Sequence, residues 1–267
     1  MAERWKQEWR GKWALITGAS AGIGMELAKL LALGGANLVL TARRVERLQQ
    51  LAAELTAQHG IKVEVFAADL TQPDAPPGIF AFTTGKQIEI ELLINNAGFG
   101  AFGNTHQIPV AKMLEMVQVN CSAVVYLTRL YLPDMVARRH GDVMIVASLA
   151  AFQPLPYSSE YAATKAFDLI FAEGVAEEMR PFGVRVSALC PGTTTTEFQS
   201  VAQQPDRIFR KAESADKVAR VGLEALANGK PYVISGFMNN LMKESQRLAP
   251  RSLVTKISAK MMRPEKA

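Results

Sequence analysis

The stretch WALITGASAGIG, residues 13–24, decides the fold of this chain. Its first five residues form a short, mainly apolar run that ends at a glycine, which is typical of a buried strand. Glycines then follow in the spacing TGxxxGxG, and helical periodicity begins directly in GIGMELAKLLALGG (22–35). Glycines permit a tight turn, and a helix start offers free N–H groups to a phosphate. The stretch predicts a phosphate-binding strand–turn–helix unit, although glycines can also serve turn geometry alone.

Strands and helices alternate along the rest of the chain. The predicted strands are ANLVLTA (36–42), IKVEVFAA (61–68), ELLIN (91–95), DVMIVAS (142–148), VRVSALCP (184–191) and PYVIS (231–235), with helices at 45–58, 110–139, 158–180 and 214–227. Strands that are apolar on both faces indicate a parallel sheet covered by helices on two sides. We expect one α/β domain with a doubly wound parallel sheet. Its core spans residues 13–235, and a helical extension follows at 238–267.

Three features interrupt this alternation. Residues 72–86 contain three prolines, which predicts a turn and at most a short helix. Residues 193–212 are polar, lack a clear period and are expected to form a loop. Inside the long helix at 110–139, Pro133 predicts a kink or a late break.

Composition narrows the class of protein. The 267 residues are 49% hydrophobic, which is enough for one substantial core. The two cysteines, Cys121 and Cys190, each lie in an apolar run, so we expect buried thiols in a reducing compartment such as the cytoplasm. The three histidines are scattered, and we expect no metal site. We find no stretch as apolar as a membrane-spanning helix and no signal peptide.

The formal net charge of +5 suits an anionic ligand, an acidic membrane surface or nucleic acid. No nucleic-acid motif accompanies the charge, so we expect no nucleic-acid partner. The N-terminal segment places Trp5 and Trp9 at helical spacing among charged residues. We expect a frayed amphipathic tail there, with a membrane or partner contact as the alternative.

The end of the second strand indicates which dinucleotide binds. An acid at this position would hold the ribose 2′-hydroxyl of NAD. Here the chain reads TARR, and Arg43 and Arg44 precede the first acid, Glu46. A guanidinium can bind a 2′-phosphate through paired, charge-assisted hydrogen bonds, which favours NADP. Asp69, after the third strand, is expected to accept a bond from adenine, to cap a turn, or to do both.

The chemistry is expected at the carboxyl ends of the central strands, where NNAG (95–98) and Ser148 lie. The next helix begins near YAATK (161–165), which places Tyr161 and Lys165 one turn apart on one face. A free tyrosine has a pKa near 10, and an adjacent ammonium favours its phenolate. A surface pair without function is the simpler alternative. A phenol tuned in this way could serve as an acid/base.

TGASAGIG, NNAG, Asn120, Ser148, YAATK and PGTTTT (191–196) occur in an order that resembles the short-chain dehydrogenase/reductase family over residues 13–235. The resemblance implies a seven-stranded Rossmann sheet and hydride transfer to or from a nicotinamide dinucleotide. It implies that Tyr161 is the acid/base, that Lys165 lowers its pKa and holds the nicotinamide ribose, and that Ser148 binds the substrate carbonyl. It implies that Asn120 positions a water behind the lysine. The expected contacts to NADP(H) are Gly18, Ser20, Gly22, Ile23, Gly24, Arg43, Arg44, Asp69, Leu70, Asn96, Ala97, Gly98, Tyr161, Lys165, Pro191, Gly192, Thr194 and Thr196.

The substrate side is expected to be apolar. The aromatic and aliphatic residues that follow the motifs and indicate such a cleft are Phe99, Phe102, Phe152, Leu155 and Tyr157. Phrases such as INNAGFG and CPGTTTTEF resemble bacterial reductases near the 3-oxoacyl reductases, and an apolar or acyl-like carbonyl substrate is therefore expected. A non-catalytic dinucleotide-binding regulatory module is the alternative, although it would not need the four catalytic residues.

The tail at 238–267 combines apolar spacing with recurring Lys and Arg residues. Three readings stay open, namely a substrate lid packed on the domain, part of an oligomer interface, and a helix on an anionic membrane. The family resemblance implies a homodimer or homotetramer.

Overall fold

Nine strands and eleven α-helices make up the described part of the computed structural model, which is residues 3–205, 209, 212–246 and 248–264. The strands are β1 (Trp13–Thr17), β2 (Asn37–Ala42), β3 (Val63–Ala67), β4 (Ile90–Asn95), β5 (Gly141–Val146), β6 (Val184–Cys190), β7 (Thr194–Thr195), β8 (Glu213–Ser214) and β9 (Tyr232–Ile234). The helices are α1 (Trp5–Glu8), α2 (Gly22–Leu33), α3 (Val45–His59), α4 (Ala75–Gly85), α5 (Val110–Val117), α6 (Ala123–Ala137), α7 (Ser159–Met179), α8 (Phe198–Ala202), α9 (Ala215–Ala227), α10 (Phe237–Gln246) and α11 (Arg251–Met262).

Seven parallel strands form the central sheet in the order β3-β2-β1-β4-β5-β6-β9. The chain builds outward from β1 on one side through β2 and β3, and on the other side from β4. The loops that leave β1 and β4 therefore diverge, and a crevice opens at their carboxyl ends. The predicted doubly wound parallel sheet is confirmed.

The two faces of the sheet carry separate apolar layers. Side chains alternate between faces along each strand, so Ile16 packs into one layer and Leu15 into the other. Helices α2, α3 and α9 cover the first layer, whereas α4, α6 and α7 cover the second. Full burial of each large aliphatic side chain contributes about 1.5–3 kcal/mol, which holds both helical layers on the sheet.

The proline-rich segment at 72–86 forms a full helix, α4, so the expectation of a turn with at most a short helix is wrong. Pro76 and Pro77 lie in the first turn, where backbone N–H groups have no intrahelical acceptor and proline is tolerated. Ile79 and Thr83 are fully buried and anchor the helix on the sheet.

The long helix after β4 is interrupted at a different place from the one predicted. Its irregular turn is a π-helical segment at Gln118–Ser122 that contains Asn120, whereas Pro133 lies inside α6 without ending it. Within the described residues, the segment Val110–Ala137 is also the one helix with the length and composition to cross a membrane. The expectation that no stretch is so apolar is wrong. About 33% of its most apolar window is buried in the protein, and Leu127 within it packs fully buried in the second layer.

The N-terminal segment packs into the domain, so the expectation of a frayed tail is wrong. Trp5 and Trp9 are each only 2% exposed and belong to the first apolar layer. The indole Nε1 of Trp9 donates to Asp142 Oδ2 at 2.7 Å, and Arg185 Nε donates to Asp142 Oδ1 at 2.6 Å. This buried carboxylate satisfies the indole N–H, which allows the tryptophan to enter the core.

The predicted loop at 193–212 contains two short elements, β7 and α8, and ends just before the β8 strand. Its residues 206–208, 210 and 211 lie outside the described residues.

Candidate active site

The turn after β1 has space only for glycine at two positions. Gly18 has φ +67°, and a Cβ there would lie 2.9 Å from Ala97 Cα. A Cβ on Gly24 would overlap Asn96 Nδ2 and lie 2.5 Å from Gly18 O. The glycine turn therefore packs directly against the end of β4 and exposes the start of α2 to the crevice.

Thr17 and Asn96 lock this turn to β4. The hydroxyl Oγ1 of Thr17 accepts the backbone N–H groups of Asn96 and Ala97, each at 2.9 Å. The amide of Asn96 donates to Thr17 O at 2.8 Å and to Gly18 O at 3.3 Å. Asn96, which the sequence assigned to cofactor contact, thus holds the glycine turn in place. Thr17 closes β1, and its role was not predicted.

A cavity of about 900 Å³ lies along the carboxyl ends of the strands. Of the residues expected at the site, those that line it are Gly18, Ser20, Gly22, Ile23, Arg43, Arg44, Asp69, Leu70, Asn96, Ala97, Gly98, Ser148, Tyr161, Lys165, Pro191, Gly192, Thr194 and Thr196. Gly24 and Asn120 are absent from the lining and stand behind it. The motifs that the sequence separates by more than a hundred residues therefore meet at one cavity.

An ion-pair cluster closes one end of this cavity. The Arg44 guanidinium donates to Ser20 Oγ at 3.1 Å and to Glu197 Oε2 at 2.7 Å. Arg47 donates to Glu197 Oε1 at 2.6 Å. Hydrogen bonds from Arg47 and Arg44 lower the pKa of Glu197, which keeps the carboxylate charged. Sequence reasoning missed Arg47 and Glu197, because neither belongs to a motif and their pairing spans 150 residues.

Asp69 serves a turn in this structure. Its Oδ1 accepts the backbone N–H of Thr71 at 3.0 Å, which is the capping role expected as one of its two functions. The residue also lines the cavity beside Leu70.

Three candidate catalytic side chains converge in the middle of the cavity. Tyr161 and Lys165 lie one turn apart on α7, and Ser148 follows β5. The Ser148 hydroxyl accepts the backbone N–H of Ala150 at 3.1 Å, and hydrogen bonding by its side chain lowers the pKa of Tyr161. Lys165 is 5% exposed, and its Nζ donates to Val146 O at 2.8 Å. The buried ammonium is therefore fixed beneath the tyrosine.

The net pKa direction for Tyr161 differs from the sequence-based expectation. Burial raises the pKa of Tyr161, while the Lys165 charge and the Ser148 hydrogen bond lower it without offsetting the burial. The expected influence of Lys165 is therefore present, but the resultant shift is upward. The phenol is protonated at neutral pH, which is the state that can donate a proton.

Asn120 is completely buried in the π-helical turn. Its Oδ1 accepts the N–H of Phe99 at 3.1 Å, and its Nδ2 donates to Phe99 O and to Thr164 Oγ1, both at 3.0 Å. A Cβ on Gly98 would lie 3.1 Å from Asn120 Oδ1 and 3.3 Å from Lys165 Nζ. Asn120 thus braces the NNAG loop directly behind the lysine.

The far wall of the cavity comes from the C-terminal helices. Its lining residues there are Asn239, Met242, Ser245, Gln246, Ala249, Val254, Ile257, Ser258, Met261 and Met262. They recur at three- and four-residue spacing, so one face of α10 and one face of α11 turn toward the cavity. The tail therefore packs on the domain beside the cavity, as expected for a lid.

Only part of the predicted apolar cleft lines the cavity. Phe99 and Leu155 do so, whereas Phe102, Phe152 and Tyr157 do not, and for these three the prediction is wrong. Phe102 packs on Tyr157 with ring centroids 6.4 Å apart, and Phe152 packs on Tyr232 at 6.1 Å. Phe102 and Phe152 therefore each pack on an aromatic neighbour, Phe152 on a residue of β9.

The residues present fit an NADP-type dinucleotide. The glycine turn leaves the start of α2 open to a phosphate, and Arg44 stands beside Ser20 at the end of β2. The fold and the site define a Rossmann-type oxidoreductase. The family model described as "short chain dehydrogenase" matches residues 12–207, and the chain belongs to that family.

Named relatives agree with this class. The chain is 31% identical to the very-long-chain 3-oxoacyl-CoA reductase of Anas platyrhynchos, over 94% of this chain and 85% of the relative. It is 34% identical to the 7beta-hydroxysteroid dehydrogenase of Collinsella aerofaciens, over 70% of each chain. A solved short-chain dehydrogenase from Sphingobium yanoikuyae in complex with NADPH superposes with a TM-score of 0.82 at 29% identity, over 96% of this chain and 97% of that one. The protein is an oxidoreductase that acts on CH–OH or C=O groups, and its cofactor is NADP(H).

Proposed function

We propose that this protein reduces an apolar, acyl-like ketone with NADPH and that Tyr161 is the acid that completes the reduction. The observation that carries the proposal is the convergence of Ser148, Tyr161 and Lys165 on the cavity that also contains the glycine turn. The hydroxyl groups of Ser148 and Tyr161 hold the carbonyl oxygen by hydrogen bonds. NADPH, when bound, would supply the hydride for the carbonyl carbon. Tyr161 gives its proton to the oxygen, which yields the alcohol.

The other site residues position these groups. Lys165 holds its charge next to the phenol and stabilises the phenolate that remains after proton transfer. Asn120 keeps the NNAG loop against the lysine. It also positions a water molecule behind the lysine, through which the phenolate regains a proton. Gly18, Gly22 and Arg44 bind the phosphates, while Pro191, Gly192 and Thr194 border the nicotinamide end.

The lining supports an apolar substrate. Beyond Tyr161, the wall is formed by Phe99, Leu155 and Phe198 on the domain and by Met242, Ile257 and Met261 on the C-terminal helices. Binding of an aliphatic chain in this space is stabilised by about 25 cal/mol for each Å² of apolar surface that it buries. The relatives named as 3-oxoacyl-CoA reductases add support for an acyl-like group.

NADPH oxidation, followed by absorbance over ketones, aldehydes and 3-oxoacyl thioesters of graded chain length, tests the proposal. We expect turnover of apolar ketones, rising with chain length, and a preference for NADPH over NADH. Turnover confined to short polar sugars or polyols would contradict it. Tight NADPH binding without turnover of any carbonyl compound would instead favour the alternative of a non-catalytic regulatory module.

We further propose that the protein contacts anionic membranes through α11. Three side chains in one stripe of this helix, Leu253, Ile257 and Met261, are 48%, 52% and 63% exposed. Lys256 and Lys260 lie on one flank of this stripe, while Val254, Ser258 and Met262 on the other flank are buried. An exposed apolar stripe beside basic residues matches a helix that lies in the lipid interface. Because Ile257 and Met261 also line the cavity, an apolar substrate would reach it from the lipid.

Vesicle co-sedimentation tests this contact. Wild type should pellet with vesicles of equal parts phosphatidylglycerol and phosphatidylcholine, and less with phosphatidylcholine alone. The variants Leu253→Ser and Lys256→Glu/Lys260→Glu should pellet less, whereas Leu114→Ser on α5 should behave as wild type. Equal pelleting of all four proteins would contradict the contact.

We also propose that the protein is cytoplasmic in cells, because Cys121 and Cys190 are free thiols, as expected in a reducing compartment. A fraction of the protein should be bound to the membrane and released by salt.

The assembly is proposed to be a homodimer or homotetramer. Leu114 and Val117 on α5, and Phe167 and Ile170 on α7, are exposed apolar side chains on two helices that pack together. Burial of such a face against a second copy removes it from water. Size-exclusion chromatography with light scattering should give at least twice the chain mass, and Ile170→Glu should reduce it. A monomer at all concentrations would contradict this assembly.

A further inference from the structure

Asp168 is a buried carboxylate beneath the candidate catalytic pair. It lies seven residues after Tyr161 and three after Lys165, so all three share one face of α7. Its side chain is completely buried. Its Oδ2 accepts a hydrogen bond from Lys165 Nζ at 3.0 Å. Within the described residues its Oδ1 has no hydrogen-bond partner, so the carboxylate is committed to the lysine alone.

A carboxylate at this position is costly, because a buried charge loses its hydration and an apolar side chain would fill the same space more favourably. Asp168 belongs to no strand and caps no helix. Its neighbours on α7, Leu169 and Ala172, are ordinary core residues. Burial raises the pKa of Asp168, and the charge and hydrogen bond of Lys165 lower it without fully offsetting the burial. The function of Asp168 therefore concerns Lys165.

We infer that Asp168 is a positioning residue that holds the Lys165 ammonium group in place and partly cancels the electrostatic effect of that group on Tyr161. The inference rests on the proposed function, since it concerns the proton that Tyr161 gives. Lys165 Nζ lies between two acceptors, Val146 O and Asp168 Oδ2, which together fix its direction. The negative charge next to it keeps the phenol from losing its proton before the substrate has arrived.

The electrostatics of the group agree with this role. Burial lowers the pKa of Lys165, but the charges of Asp168 and Tyr161 outweigh it, so the pKa is raised and the ammonium stays charged. For Tyr161, burial and Asp168 raise the pKa, whereas Lys165 and Ser148 lower it. Asp168 thus acts against the lysine on the tyrosine while it keeps the lysine protonated.

Two other titratable groups face this pair. Cys121 approaches from the π-helical turn, where burial and Asp168 raise its pKa to about 12. Cys190 approaches from β6, where burial and the charge of Glu173 raise its pKa to about 12. Both remain neutral thiols in the range of the assay, so Tyr161, Lys165 and Asp168 determine its pH dependence.

The pH profile of kcat/KM for NADPH-dependent reduction of an apolar ketone tests the inference. Reduction needs the protonated phenol, so the rate falls as pH rises through the pKa of Tyr161. Asp168→Asn removes the charge and keeps the shape. Without that charge, only burial opposes the lowering effect of the Lys165 ammonium on the pKa of the phenol, so the alkaline limb should move to lower pH by about one pH unit.

Glu177→Gln is the matched control, because it makes the same chemical change on an exposed residue of α7 that pairs with Arg180. Its profile should superpose on that of wild type. Asp168→Ser, which is neutral and smaller, should show the same displacement as Asp168→Asn and serves if the asparagine variant does not fold. Circular dichroism and thermal unfolding report on folding.

A folded neutral variant whose alkaline limb coincides with that of wild type would overturn the inference. Failure of the proposed function gives a different result, since wild type itself would then oxidise no NADPH with any ketone in the panel, and both proposals would fall together.

Discussion

The two ends of the cavity are built in different ways. At the sheet end, backbone geometry fixes the lining, since Thr17 Oγ1 holds the N–H groups of Asn96 and Ala97, and Gly24 has no room for a Cβ. At the tail end, side chains of α10 and α11 form the wall, and apolar volume matters more than the direction of any bond. Asn239 donates to Ser235 O at 2.6 Å and packs on Gly192, which joins the two ends. We therefore propose that the sheet end determines the chemistry and that the tail end selects the substrate.

The largest effect should come from Tyr161→Phe at the sheet end. The change removes only the hydroxyl, so loss of general acid catalysis should lower kcat/KM by about 10²–10⁴-fold. The dissociation constant for NADPH, measured by fluorescence titration, should change little. A variant that keeps more than a tenth of wild-type kcat/KM would show that Tyr161 is not the acid.

A smaller effect is expected for Arg44→Ala, which removes a charge-assisted bond to a 2′-phosphate. The loss of about 1.5–3 kcal/mol corresponds to roughly 10–150-fold weaker NADPH binding, with NADH binding nearly unchanged. Arg47→Ala is the control, because Arg47 also pairs with Glu197 but does not line the cavity. Equal losses for both cofactors would contradict the assignment of Arg44 to the 2′-phosphate.

A third prediction compares two helical glycines. Gly24→Ala would place a Cβ into Asn96 Nδ2, so the turn must shift and NADPH affinity should fall by about tenfold or more, or ~1.4 kcal/mol. Gly174→Ala on α7 meets open space and should raise stability by about 0.5–1 kcal/mol. Titration with NADPH and thermal unfolding distinguish them. Wild-type affinity in Gly24→Ala would show that the sheet end is less rigid than described.

The sheet end was predictable from sequence because strand ends carry local signals. Apolar runs, glycine spacing and the four-residue step from Tyr161 to Lys165 each reflect backbone geometry, and they gave the strand positions and the cavity-lining residues in advance. The helix α4 was missed because prolines in a first helical turn look like breakers. The buried Trp9 was missed because its neighbours in sequence are charged, while its partner Asp142 lies 133 residues away.

The tail end was not predictable in the same way. The spacing of Leu253, Ile257 and Met261 indicates a helical face but not the surface that it meets. Asp168 and Glu197 were missed because no sequence motif includes them, and their pairing with Lys165 and Arg44 is visible only in the folded chain. In each case the role of the residue depends on its tertiary contacts, and a local sequence pattern does not specify those contacts.

The division of roles between the two ends can be decided by one pair of kinetic ratios. Ala249 lines the cavity between α10 and α11, whereas the adjacent Leu248 is 90% exposed. The measurement is kcat/KM for a long-chain and a short-chain methyl ketone with NADPH, in wild type, Ala249→Phe and Leu248→Phe. We expect Ala249→Phe to lower the long-chain value by about tenfold and the short-chain value by less than about twofold, because the added ring occupies space that only the long chain needs. Leu248→Phe should match wild type. Equal losses for both ketones, or no loss for either, would contradict the assignment of substrate selection to the tail.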